Sequence, residues 1–402
     1  MPDSSDPDHD LLNLASFSPA NSSPANSDPA KTSPIAARDA VLNLPASKFR
    51  YPTTAWDMDT DVLPMHLNEG PWPPSSKVVE SIRRHAAEIF RYPIPQPLDL
   101  RTALADRCRV AASLIVLGNG SDELVQAIAL AYVSPGDPVV IPAPSFAKYR
   151  QACSIMGGRI VQTGLLDDGR VDVRAICDAC TADTRLVFIA TPNNPTGGSI
   201  SLNDLEYLLE RVSPNVLLVF DEAYHEFAVA AGSPDLLPTL AQSSTNWVIL
   251  RSLSKAYCLA GLRIGYLLSG NAEIAEAVAR VQPVFNISHL GRIAALSALA
   301  DQTHLNNTVR MISEERERLR KILTQRGLSV LPSLANFLAI DFGRPARPLQ
   351  KSLQDRRILT ALIQDSGYES FLRVTIGRPG DNDRFLEALF EILDRDMALH
   401  PT

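Results

Sequence analysis

The sequence predicts an α/β protein: a large domain on a mostly parallel sheet covered by helices, followed by a smaller α+β domain. Three observations predict it. From about residue 110, short apolar runs rich in Val, Ile and Leu alternate with longer helical stretches. The runs are nearly continuous in apolar residues, as strands covered on both faces are. The polar motifs fall just after the runs, and the carboxyl ends of parallel strands are where such sheets hold ligands.

The chain has 402 residues, 45% of them hydrophobic. That is enough for a large core and long for a single one. Residues 1–38 are rich in Ser, Pro, Ala, Asn and Asp, with Ser-Pro-Ala-Asn-Ser at Ser18 and again at Ser23. Such a segment buries too little apolar surface to offset the entropy of ordering, so it reads as a disordered tail. Residues 39–70 read as an N-terminal segment packing on the small domain, 71–282 as the large domain and 283–402 as the small one. Strands of the large domain are expected at 114–117, 139–141, 186–190, 216–220, 247–250 and 264–268. The small domain is expected to hold a long charged helix containing 314–323, strands over 328–331, 337–340 and 372–376, and a terminal helix over 383–394.

Composition excludes several classes. A net charge of -7, from 38 basic and 45 acidic residues, gives no electrostatic reason for a nucleic-acid or anionic-membrane partner. No apolar run approaches the roughly 20 residues that span a bilayer. The start has no basic stretch followed by an apolar one, and its first Lys or Arg is Lys31, so neither a signal nor a transit peptide is expected. Cys177 and Cys180 form a C-x-x-C in a helix-like stretch without a second pair, and the cysteines number five. They read as ordinary thiols in a reducing, cytoplasmic setting, with no metal expected.

Five motifs carry chemistry. Gly118-Asn119-Gly120-Ser121-Asp122-Glu123 follows a strand and opens an apolar helix. Its glycines allow a sharp turn, and free amides at a helix start face an anion. Ser121 and Asp122 stand where a capping side chain would, so a phosphate can dock; alone, the motif also reads as a plain capped loop. The second, Thr191 to Gly198, is a loop punctuated by Pro and Gly in which the Asn194 amide can donate to a phenolate-type oxygen; alone it is a turn.

The third motif is Phe220-Asp221-Glu222-Ala223-Tyr224. An ionised Asp at a buried strand end needs a cation or good donors. A protonated pyridine nitrogen would serve, and the carboxylate would in turn hold it cationic. Tyr224, three residues on, can reach an oxygen of the same ring. The fourth surrounds Lys255, which lies after a strand with Ser252, Ser254 and Arg263 near it in sequence. A lone lysine would be solvated, but a desolvated one can form a Schiff base, with the hydroxyls and the guanidinium on a phosphate. The fifth is Arg373 in the apolar run Leu372-Arg373-Val374-Thr375-Ile376. It needs an anion: a substrate carboxylate or phosphate held bidentately, or an acidic side chain.

Together these motifs resemble the fold-type I pyridoxal-phosphate (PLP) enzymes, and within them the histidinol-phosphate aminotransferase family. The likeness runs from about Leu67 to the C-terminus. It is carried in family order by Asn68-Glu69, Arg91-Tyr92-Pro93 and residues 118–123, 193–197, 221–224, 252–265 and 373–377. The resemblance implies a seven-stranded sheet, PLP as cofactor, and transfer of an amino group from a small amino donor to a keto acceptor. It implies that Lys255 condenses with the cofactor and then moves the proton between substrate carbon and cofactor. Asp221 would pair with the pyridine nitrogen, Asn194 and Tyr224 would contact the ring oxygen, and Phe146 would stack on the ring. Gly120, Ser121, Asp122, Ser252, Ser254 and Arg263 would hold the phosphate, and Arg373 the substrate. Tyr92 would reach the partner's site in a homodimer.

Departures from the family bear on the substrate. Ala46 and Ala361 stand where family members that use histidinol phosphate carry a tyrosine and an arginine that help hold the substrate's phosphate. Gly70 replaces an expected asparagine, and Trp72 a tyrosine. His289 and Arg292 are unusual and read either as new substrate contacts or as surface residues of a helix. The expectation is therefore an aminotransferase for a free amino acid. The alternatives are histidinol-phosphate transamination, or decarboxylation, elimination or oxidation on the same scaffold. A non-catalytic regulator would need a DNA-binding domain, which the acidic tail cannot supply.

Overall fold

The computed structural model describes residues 38–42, 44 and 61–399. Of the tail expected over 1–38, residues 1–37 lie outside the described residues, as does Ala46. Asp39–Leu42 is a single helical turn with no buried side chain.

Residues 61–399 carry two larger sheets. The first has seven strands: β1 (Ile115–Asn119), β2 (Pro138–Pro142), β3 (Arg159–Thr163), β4 (Leu186–Ala190), β5 (Leu217–Asp221), β6 (Asn246–Ser252) and β7 (Ile264–Ser269). Their order is β1-β7-β6-β5-β4-β2-β3. The pairs from β3 to β6 are parallel, and β7 runs antiparallel to both β6 and β1. The six expected runs all became strands. β3 went unexpected because it is an edge strand with exposed Arg159 and Gln162, so it has no continuous apolar run.

Alternation explains why the central strands look apolar throughout. Val140, Val187, Ile189, Leu218, Phe220 and Ile249 enter one core, while Val139, Ile141, Leu186, Phe188, Val219 and Val248 enter the other. Successive side chains point to opposite faces, and helices cover both faces, so neither set meets water. The helices Gly120–Tyr132, Ala147–Ile155 and Ala272–Arg280 supply Leu124, Tyr149 and Val278 to the second core. Truncating the wholly buried Phe188 to Ala would cost about 3–5 kcal/mol through lost transfer energy and the cavity left. Helix starts obey local rules: Leu202–Arg211 opens on a capping box between Ser201 and Asp204.

The second sheet is antiparallel, with β8 (Ser329–Val330), β9 (Phe337–Asp341), β10 (Ala361–Leu362) and β11 (Phe371–Thr375) in the order β10-β11-β9-β8. The charged helix is longer than its 314–323 signal, Gln302–Gln325, and the terminal helix spans Pro379–Leu399. Leu63–Pro64 pairs in parallel with Ile358–Leu359, and Met65 O accepts from Thr375 N at 2.9 Å. These contacts carry residues 65–69 to the carboxyl ends of β4, β5 and β6. Among the described residues no helix is long and apolar enough to cross a membrane.

Candidate active site

β4, β5 and β6 end side by side. Thr191 N donates to Asp221 O at 2.9 Å and Glu222 N to Leu250 O at 2.8 Å, which aligns the strand ends. A cavity of about 510 Å³ opens there. Ser121, Asp122, Phe146, Asn194, Asp221, Tyr224, Ser252, Ser254, Lys255, Arg263 and Arg373 all line it, so nearly every expected site residue meets at one place. A larger polar hollow of about 790 Å³ lies at the amino ends of the strands, lined by Asp137, Arg159 and Arg185, and holds none of these motifs.

One end of the cavity is an anion cradle. The helix Gly120–Tyr132 aims its N-terminus there, beside the hydroxyls of Ser121, Ser252 and Ser254. Arg263, in the left-handed region at φ 54°, turns its guanidinium in and contacts Asp122 Oδ2 at 3.2 Å. Gly120 does not line the cavity; a Cβ there would lie 2.4 Å from Arg263 Nη2, so glycine makes room for that arginine. The capping expectation for Ser121 and Asp122 is corrected. The helix starts at Gly120, its N-cap position is Asn119, and Glu123 reaches back to accept from Asn119 N. Ser121 and Asp122 therefore sit in the first turn, with side chains spared for the cavity.

Across the cavity Asp221 ends β5. It is buried, accepts from Tyr149 Oη at 2.6 Å on Oδ2 and from Ala223 N at 3.0 Å on Oδ1. Burial pushes its pKa up to about 6, although both donors pull it down. Among the described residues no cation pairs with it. Sequence patterns gave no role to Tyr149, whose signal was its place three residues after Phe146, one turn along a helix.

Between the two ends stands Lys255, whose amine donates to Leu67 O at 3.1 Å. Burial, and then the nearby positive charge of Arg373, lower its pKa to about 8. Tyr224 is 4% exposed and accepts from Asn68 Nδ2 at 2.9 Å. Arg373 donates to Asn194 Oδ1 and to His66 O. Its bond to Asn194 Oδ1 turns that amide's nitrogen away from the guanidinium.

Other expected residues lie elsewhere. Tyr92 is 83% exposed, stacks on Phe285 with centroids 4.8 Å apart, and does not line the cavity of its own chain. His289 pairs with Glu88 at 2.8 Å and Arg292 with Asp99, so both join surface elements and neither faces the cavity. The five cysteines are unpaired, Cys177 and Cys180 included. Glu222, His225 and Asp235 converge as metal ligands could, but Arg251 bonds both carboxylates, at 2.8 and 3.0 Å.

Two departures acquire a structural setting. Ala361 in β10 is the cross-strand partner of Arg373 in β11, so the two side chains share one face of the sheet. A Cβ on Gly70 would lie 2.4 Å from Cys258 Sγ, so the asparagine expected there has no room.

These residues fit PLP on the structure's own terms. A buried carboxyl without a cation suits a pyridinium nitrogen, a desolvated amine suits an aldehyde, and a cradle of hydroxyls and one arginine at a helix N-terminus suits a phosphate. Comparison with known proteins agrees. Residues 60–389 match the aminotransferase class I and II family. The histidinol-phosphate aminotransferase 2 of Pseudomonas aeruginosa is 39% identical over 337 residues, 83% of this chain and 90% of that one. The histidinol-phosphate aminotransferase of Moorella thermoacetica is 37% identical over 333 residues, 83% of this chain and 86% of that one. The crystal structure of the Sinorhizobium meliloti histidinol-phosphate aminotransferase with pyridoxal-5'-phosphate superposes with a TM-score of 0.82 at 29% identity, covering 89% of this chain and 97% of that one. This chain belongs to the class I and II aminotransferases, and is a fold-type I enzyme that transfers amino groups with pyridoxal phosphate as its cofactor.

Proposed function

We propose that the enzyme takes its amino group from a free amino acid and that its pocket has lost grip on a substrate phosphate. The observation that carries this is Ala361 beside Arg373. Two adjacent cations would suit a phosphate dianion, whereas one arginine and a methyl group suit a single carboxylate. The names of the relatives favour the other reading, histidinol phosphate as donor.

In this reading the bound cofactor supplies an electron sink for the substrate's α-carbon. Lys255 Nζ would hold it and, once freed, would carry the proton taken from that carbon. Asp221, supported by Tyr149, balances the charge of the ring nitrogen. Asn194 and Tyr224 would donate to the ring oxygen, Phe146 would stack on the ring, and Ser121, Asp122, Ser252, Ser254 and Arg263 would hold the phosphate. Arg373 orients the substrate carboxylate, and a keto acid then accepts the amino group. Residues 71–282 act as the cofactor-binding domain and 283–402 as the domain that closes on substrate. The unpaired cysteines support a reducing, cytoplasmic setting.

The enzyme acts as a homodimer with shared sites. Ile89, Phe90, Tyr92, Ile94, Leu98 and Val284 are all more than half exposed, an apolar patch that a second copy would cover. Tyr92 in this patch would enter the partner's cavity. A panel of amino donors that includes histidinol phosphate tests the reading. A free amino acid should bleach the visible absorbance of the holoenzyme and release its keto acid; histidinol phosphate outperforming every free amino acid would sink it.

A further inference from the structure

Asn68 lies where residues 65–69 meet both sheets. It is 2% exposed and takes φ 55°, a left-handed conformation that asparagine tolerates better than most residues. Four hydrogen bonds fix it. Its N–H donates to Thr375 Oγ1 at 3.0 Å, and its carbonyl accepts from Asn336 Nδ2 at 3.1 Å. Its side chain joins Thr375 Oγ1 through Oδ1 at 3.1 Å and Tyr224 Oη through Nδ2 at 2.9 Å.

The partners of Thr375 set the direction of these bonds. Thr375 Oγ1 accepts from the Asn68 N–H, and among the described residues Asn68 Oδ1 is the acceptor within reach of its one proton. The amide nitrogen then faces Tyr224, which accepts from it and keeps its own proton to give elsewhere. Phe337 packs edge-on to the phenol at 5.3 Å, and Lys255 Nζ lies 6.0 Å from its ring centre. Arg373, Asp221 and Asp122 are the other charged groups that face it. Burial raises the phenol's pKa to about 12, so it stays protonated.

We infer that Asn68 is a positioning residue that fills the acceptor side of Tyr224 Oη, so that the phenol donates only into the cavity, to the ring oxygen of the cofactor. Through Thr375, two residues beyond Arg373 on β11, the same amide ties this donor to the strand that carries the substrate arginine. The inference rests on Lys255 holding the cofactor.

The test is the pH titration of the holoenzyme's visible absorbance. A donor on the ring oxygen favours the form in which that oxygen bears its full charge, so losing the donor moves the titration to higher pH. Asn68→Asp, which would accept the phenol's proton, should raise the midpoint by about one unit or more. Asn68→Ala should raise it less, and should add nothing in a Tyr224→Phe chain. Thr375→Val, which frees the Asn68 amide, should shift the midpoint the same way and carries the test if the Asn68 variants fail to fold. The inference is overturned if Asn68→Ala shifts the Tyr224→Phe chain as far as it shifts the parent, or if Thr375→Val and every folded Asn68 variant leave the midpoint in place. A Lys255→Ala chain that titrates like the parent would instead overturn the cofactor site itself.

Discussion

Tyr149 Oη donates to Asp221 Oδ2 across 2.6 Å, between two buried side chains that line the cavity. The bond holds the carboxylate at the end of β5 in one orientation, with Ala223 N on its other oxygen. It also opposes the upward push of burial on Asp221.

Tyr149→Phe removes that donor and leaves the ring in place. A hydrogen bond to a charged group contributes about 1.5–3 kcal/mol, so cofactor affinity should fall about tenfold to a hundredfold. Titrating the apoenzyme with PLP by fluorescence reads this directly. Unchanged affinity and an unchanged pH–rate profile would show that the phenol only packs.

Lys255 should react as an amine at neutral pH. With a pKa of about 8, against an ordinary 10.5, about a tenth of it is neutral at pH 7 rather than about one in three thousand. The neutral form is the nucleophile, so the rate of PLP capture by the apoenzyme should climb up to about pH 8 and level off above it. Stopped-flow absorbance checks the profile; a rate still climbing tenfold per unit at pH 10 would contradict the desolvated amine.

Ala361→Arg should restore a second cation beside Arg373. The gain from one charge-assisted contact is about 1.5–3 kcal/mol, so kcat/KM for histidinol phosphate should rise about tenfold to a hundredfold relative to a free amino acid. No change in that ratio would separate Ala361 from substrate choice.

Tyr92 should serve a site that is not its own. Mixing inactive Lys255→Ala chains with weak Tyr92→Ala chains should then recover about a quarter of the parental activity, because half of the dimers carry one intact site. Activity no higher than the Tyr92→Ala chains alone supply would argue against shared sites.

Arg251→Met should destabilise the fold. Burial pushes Glu222 up, but Arg251 and His225 outweigh it and hold its pKa at about 2, below the usual 4.5. The folded state therefore gains stability from this group above pH 4.5 and loses it as pH falls towards 2. Removing the guanidinium strands a buried carboxylate, at a cost of about 3–5 kcal/mol in denaturant unfolding at neutral pH. A loss under about 1 kcal/mol would mean that solvent already screens the pair.

Much of this site was legible in one dimension. Asp221 and the 118–123 turn come directly after an apolar run and Lys255 five residues after one, and chain connectivity places the residues after a parallel strand at its carboxyl end. The edge strand Arg159–Thr163 was not legible, because exposure on one side allows polar residues that break the apolar signal. Nor were Tyr149 under Asp221 and Asn68 on Tyr224, which lie 72 and 156 residues from their partners. Sequence spacing carries no trace of such long-range bonds.

Local periodicity along the chain was enough for the layered α/β architecture, and residue chemistry for Lys255 and Asp221 as candidates; the arginine missing at position 361 shows only against the family that the chain resembles. Folding alone made Ala361 face Arg373, fitted Arg263 against Gly120, set His289 and Arg292 to brace the surface, and let Asn68 join the two sheets. Each of those relationships depends on register and packing between distant segments. Burial and hydrogen-bond satisfaction settle them once the chain has collapsed, and no short window of residues encodes them.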